Sequence, residues 1–171
     1  MKHAGCYSLN VGIESGSDDV LKRIRKKNTT EEVKEQVSKV KKAGIDIGGF
    51  FILGFPGETV HQMRRTINFA RDLNLDRISI SYFQPYPGTK EYSILVDSGD
   101  YRLYLNGNRL SLHSISYTTM GVGKRKLRML RCIGFIKFYF RFKIFIKLIK
   151  EVKDLDHLIF IVRRGIRWLS T

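Results

Sequence analysis

Three times along the chain, a short apolar run gives way to a glycine-containing turn and then to an amphipathic stretch of helix length. No other feature constrains the fold as much, because strands separated by helices of about a dozen residues pair in parallel with right-handed crossovers. The first run is Ser8 to Ile13, closed by Glu14-Ser15-Gly16-Ser17. Ser17 stands where a helix cap belongs, and the stretch from Asp18 to about Lys27 turns from acidic to basic, complementing a helix dipole. Thr30 opens a second helix, with Val33, Val37 and Val40 on one stripe and Gly44 as its stop. The second strand is read from Ile45 to Leu53, ended by Gly54-Phe55-Pro56-Gly57, and a helix runs from Glu58 or Thr59 to Leu73. The third strand is Arg77 to Phe83, closed by a Gln84-Pro85-Tyr86-Pro87-Gly88 turn, and a last helix spans roughly Thr89 to Val96.

The fold class is therefore α/β. The reading is a partial (βα) barrel of about three parallel βα units over 1–100, a linker over 101–123, and a basic helical extension over 124–171. A parallel sheet needs both faces covered, and an exposed parallel edge invites pairing. Three units therefore read as the second half of a larger barrel whose first half lies upstream.

Charge divides the chain at the same place. Up to residue 119 there are 17 basic and 13 acidic side chains, and from residue 120 onward 14 and 3, so most of the net +15 sits in the extension. There Arg131, Lys137, Arg141, Lys143, Lys147 and Lys150 recur at mostly helical intervals among Ile133, Phe135, Phe138, Phe140, Ile144 and Leu148. Such apolar content argues for amphipathic helices rather than a disordered tail. Lys or Arg breaks every apolar stretch and none approaches 18 residues, which argues against a membrane span. A helical layer packed on the barrel with a solvated basic face comes first, an in-plane helix on an anionic membrane surface second, and a nucleic-acid surface third. Nucleic acid is disfavoured because no specific binding motif is present.

The two cysteines, Cys6 and Cys132, lie far apart and in no metal-ligand spacing, so neither a disulfide framework nor a metal centre is read. No apolar signal-peptide core precedes the first strand, and the expected place is the cytoplasm, at most peripheral to a membrane.

In parallel α/β folds ligands bind at the carboxyl ends of the strands. Those ends read GIESGS, LGFPGE and QPYPGT, each with glycine beside polar groups. Taken singly, each is accounted for by capping and turning: Ser17, Thr59 and Thr89 as caps, Gly54 and Gly57 as turns, Glu58 as a dipole complement. Three alike at one end of one sheet favour a ligand site.

The ordered blocks AGCYSLNVGIESGSDDVLKRIRKKNTTEE, KKAGIDIGGFFILGFPGET, TINFARDL and PYPGT resemble the second half of a radical SAM core domain. They are most similar to the branch often carrying a cobalamin-binding domain. That resemblance implies S-adenosylmethionine as cofactor, and a 4Fe–4S cluster held by three cysteines in C-x3-C-x2-C. In such enzymes the cluster's electron cleaves the sulfonium to a 5′-deoxyadenosyl radical that abstracts a substrate hydrogen. By the same resemblance Glu14 and Ser15 lie near the ribose and methionine moiety. Ile52, Leu53 and Gly54 line the adenine, and Gln84, Pro85 and Tyr86 lie near adenine or substrate. Cobalamin is an option for the full-length relative only. The sequence departs from the pattern in having no cysteine triad, so no catalytic residue or metal ligand is assigned. The chain is expected to bind no cluster alone and to depend on an upstream half that supplies one. A non-catalytic module that docks to an anionic membrane or polyanion through its basic helices is the alternative.

Overall fold

The computed structural model describes residues 1–98 and 114–142, together with Ile144, Ile146, Asp154, Ile159 and Arg163. Strands β1 (Ser8–Glu14), β2 (Asp46–Leu53) and β3 (Arg77–Tyr82) form one parallel sheet in the order β1-β2-β3. Helices α1 (Asp18–Arg23) and α2 (Thr30–Lys42) connect β1 to β2, and α3 (Val60–Asp72) connects β2 to β3. After β3 come α4 (Lys90–Asp97) and α5 (Lys124–Tyr139). The α/β class and the three parallel units are as the sequence implies.

Local chemistry sets the boundaries. Thr29 and Glu32 form a reciprocal capping box at α2, as do Thr59 and Gln62 at α3. Gly44, with φ 69°, takes the left-handed position that ends α2. Arg25, at φ 58°, breaks α1 after Arg23, so this helix is shorter than the sequence suggests. α5 ends at Tyr139, and Phe142, Ile144 and Ile146 after it are helical again, as the pattern to Lys153 implies. Apart from those positions and Asp154, Ile159 and Arg163, the later stretch lies outside the described residues. Ser17 occupies the cap position of α1 but makes no capping bond, and its hydroxyl is buried without a partner.

Alternation along the strands divides the sheet into two unlike faces. Ile13, Ile47, Phe51, Leu53, Ile78, Ile80 and Tyr82 point into one core with Val33, Met63, Ile67, Ala70, Leu127, Leu130, Phe135 and Phe138 from α2, α3 and α5. The other face presents Asn10 and Gly12 of β1, Gly48, Phe50 and Ile52 of β2, and Arg77, Ser79 and Ser81 of β3, paired in register. No described element covers it, and Phe50 is 47% exposed. A parallel sheet needs cover on both faces, so the open face and edge accord with the reading of a partial barrel.

The two edges also differ. At β3 the buried Arg131 donates from Nε to the Ile80 carbonyl at 3.0 Å, and the Tyr139 hydroxyl donates to the Ile78 carbonyl at 3.3 Å. Arg141 donates to the carbonyls of Leu73 and Leu75 at 2.9 and 3.1 Å. Side chains of α5 and of the residues after it therefore occupy the outward backbone of β3, and Arg131 is gripped between the rings of Tyr82 and Phe135 at 5.3 and 5.4 Å. Arg131 and Arg141, which the sequence pattern places on a solvated basic face, instead satisfy a carbonyl at the sheet edge and carbonyls of the segment leading into β3. By contrast, β1 pairs with β2 alone among the described residues.

Of the expected linker, residues 114–123 are described. Ile115, Tyr117 and Val122 are buried, and Tyr117 joins Phe83, Phe55, Val20 and Leu95 in a second small cluster at the strand ends.

Candidate functional site at the carboxyl ends of the strands

The end of β1 is the most unusual piece of backbone. A register shift falls between Gly12 and Glu14, and Glu14 has φ 71°, a left-handed conformation that costs a non-glycine residue about 1 kcal/mol. The Glu14 side chain folds back along the uncovered face, so close that a Cβ on Gly12 would lie 2.5 Å from its Oε1. That oxygen accepts from Lys26 Nζ at 3.2 Å. Ser15 turns the other way. Its hydroxyl lies 3.0 Å from that of Thr66 on α3, which also accepts the Gly16 N–H at 3.0 Å, while Ser15 Oγ accepts the Ser17 N–H at 3.2 Å. Gly16 is pressed against α3, where a Cβ would meet Thr66 Cα at 2.8 Å.

At the end of β2, Leu53 belongs to the helix-side core, Ile52 is half-buried on the uncovered face, and Gly54 turns the chain at φ 89°. The organiser of this turn is Glu58. Its Oε2 accepts the N–H groups of Gly54 and Phe55 at 2.7 and 3.0 Å, while its Oε1 is buried without a partner. The residue is only 1% exposed. Burial pushes its carboxyl up to about 7, against the opposing pull of the two backbone bonds and the Arg23 charge. Arg23 itself donates to the Gly57 carbonyl at 3.2 Å. Glu58 is thus a staple for the strand end rather than a dipole complement. Its sequence signal is an acid four residues after a turn glycine, close enough to fold back onto it.

At the end of β3, Gln84 is buried and spent on the chain itself: its amide donates to the Ser114 carbonyl and accepts from the Ser116 hydroxyl. Pro85 is buried beside it, Tyr86 is exposed, and Thr89 caps α4. All eight candidate residues therefore sit at one end of the sheet, facing different ways. Glu14 and Ile52 lie on the uncovered face and Gly54 offers backbone beside them. Ser15 and Leu53 face the helices, and Gln84 locks the 114–116 segment in place.

Sequence reasoning missed the floor of the uncovered face. Arg77 reaches across the sheet to Asn10 Oδ1 at 3.2 Å and to the Ser8 hydroxyl. The crossing needs glycine at position 48, which lies in register between them, since a Cβ there would come within 2.9 Å of Arg77 Cγ. A cleft of about 540 Å³ opens between Gly5–Ser8, Asn10, Asp46 and Arg77, at the amino end rather than the candidate end. The polar alternation of Ser8, Asn10 and Gly12 against Ser79 and Ser81 was the available signal.

The donor set separates the two groups that the resemblance implies. The chain has only Cys6 and Cys132, and no three His, Cys, Asp or Glu side chains among the described residues are grouped to hold a metal. These residues do not fit an iron–sulfur cluster. Glu14, Ile52 and the Gly54 backbone do fit part of an adenosine: a carboxylate for ribose hydroxyls, an apolar wall and a strand end without a side chain.

Comparison with known proteins shows what the chain is similar to. The chain is 35% identical to an uncharacterized methyltransferase of Pyrococcus horikoshii over 99% of its own length and 36% of that protein's. It is 35% identical to the tRNA-2-methylthio-N(6)-dimethylallyladenosine synthase of Hydrogenovibrio crunogenus, over 60% of the chain and 21% of that protein. With the threonylcarbamoyladenosine tRNA methylthiotransferase of Thermotoga maritima the identity is 37%, over 49% and 20%. The chain thus spans between about a fifth and little more than a third of these relatives' length, and none of these names mentions cobalamin. Residues 1–70, from the segment before β1 to the last turns of α3, match the Radical SAM superfamily.

Proposed function

We propose that this chain forms one wall of a radical SAM enzyme and contributes the carboxyl ends of three strands to its S-adenosylmethionine pocket. The observation that carries the reading is the one-sidedness of the sheet. Helices cover one face and α5 seals the β3 edge, while the polar face and the β1 edge have no described cover. That is the geometry of a barrel wall, with its lumen side and its growing edge open.

Within that wall, Glu14 accepts hydrogen bonds from the ribose hydroxyls, Ile52 packs on the adenine, and the Gly54 turn, held by Glu58, lets the ring lie against backbone. When bound, S-adenosylmethionine supplies the sulfonium whose reductive cleavage drives the chemistry. This chain supplies no ligand set for a cluster, and cysteines outside it would have to hold one. The relatives' names, methylthiotransferase and methyltransferase, support group transfer as the class of reaction.

The test is anaerobic co-expression with a polypeptide covering the remaining length of the Pyrococcus relative. The reconstituted complex is expected to release 5′-deoxyadenosine from S-adenosylmethionine under reduction, with Glu14→Ala weakening cofactor binding. A complete, cluster-loaded complex that leaves the cofactor intact would refute the assignment.

A further inference from the structure

The outer side of α5 is unlike a solvated helix face. At about 3.6 residues per turn, Met129, Ile136 and Phe140 fall within about 40° of one another, and they are 43%, 47% and 78% exposed. The half-buried Cys132 and Ile133 fill the same stripe. Arg125 lies within the stripe, Arg128 borders it on one side, and Lys137, which donates to Asn68 Oδ1 at 3.0 Å, borders it on the other; all three are exposed, and α5 contains no acidic residue. The opposite side of the helix carries Leu127, Leu130, Phe135 and Phe138 into the core.

We propose that α5 docks the protein onto an anionic lipid surface. The Met129–Ile136–Phe140 stripe enters the boundary between headgroups and acyl chains, and Arg125 and Arg128 reach the lipid phosphates. Charge complementarity selects the partner: a chain of net +15 presents an acid-free helix whose cations border an apolar centre. RNA would engage the same cations, and its bases stack on aromatic rings, but it gives no return on two exposed aliphatic side chains such as Met129 and Ile136. No helix among the described residues is long and apolar enough to cross a membrane, so the contact lies in the plane of the surface. Because α5 packs on α3 and β3 through its other side, docking leaves the uncovered sheet face free.

Co-sedimentation of the full chain with vesicles tests this. One set is phosphatidylcholine alone, and the other contains about one-third phosphatidylglycerol. Binding to the anionic vesicles is expected to be at least about tenfold tighter and to weaken with salt. The pair Ile136→Asp/Phe140→Asp, and separately Arg125→Ala/Arg128→Ala, each lower it by about tenfold. The control Lys27→Ala/Lys34→Ala removes the same number of charges from the α1–α2 side and leaves binding within about twofold. Equal binding to both vesicle types, retention of binding by both α5 variants, or an equal loss in the control would overturn the proposal. So would preferential capture of RNA that the Ile136→Asp/Phe140→Asp pair leaves unchanged.

Discussion

Replacing Glu58 by glutamine isolates the buried carboxyl at the end of β2. Its pKa is raised from 4.5 to about 7, chiefly by burial. A raised carboxyl pKa means that the folded chain holds a proton which the unfolded chain has released. Stability attached to Glu58 is therefore fully present below about pH 4.5 and is lost as pH rises towards 7. A shift of this size corresponds to about 3 kcal/mol. Glutamine keeps an oxygen for the Gly54 and Phe55 N–H groups but places its NH2 where Oε1 has no partner, which costs about 1–3 kcal/mol at every pH. Glu58→Gln should accordingly be the less stable protein at pH 4.5 and equal or superior at pH 8. Urea denaturation followed by circular dichroism across that range measures both proteins, and subtracting the curves removes every group they share. The difference should change by about 3 kcal/mol in favour of the variant. A difference that stays constant within about 1 kcal/mol would show that Glu58 is not held in a desolvated site.

Two further changes probe what holds the wall together. Gly16→Ala drives a methyl into the backbone of α3 at Thr66 and should lower stability by about 1–3 kcal/mol, read as a shift in the urea midpoint at unchanged slope. Arg131→Met keeps the apolar stem but removes the donor to the Ile80 carbonyl and the cation between Tyr82 and Phe135. A loss of about 1–3 kcal/mol is expected, and none would mean that α5 does not seal the β3 edge.

Much of the fold was legible because its determinants are local. Thr59 followed by Gln62, Gly44 after a valine stripe, and glycine turns behind apolar runs each specify a boundary over a few residues. So was the gathering of candidate residues at one end, since parallel strands leave all their carboxyl ends together. What escaped depends on contacts distant in sequence. Arg131 reads as one more cation in a basic repeat until the carbonyls of β3 are placed beside it. The sideways turn of Ser15 is set by Thr66, fifty-one residues on. The inward fold of Glu58 is local, but its energetics are not, because burial comes from the assembled core. Arg77 could be assigned to the uncovered face only once the register put Gly48 between it and Asn10.

The central claim is that β1 is the growing edge of an incomplete barrel wall, and backbone amide hydrogen exchange tests it most directly. The Tyr7 carbonyl accepts from Asp46 on β2, so the N–H groups of Ser8 and Asn10, one and three residues on, point away from β2. In the chain alone these two amides should exchange far faster than the inner amides of β2. In the complex with a polypeptide covering the remaining length of the Pyrococcus relative they should become protected, by about a hundredfold or more, as a parallel strand takes them up. Unchanged exchange at Ser8 and Asn10 in a complex that has demonstrably formed would contradict the account.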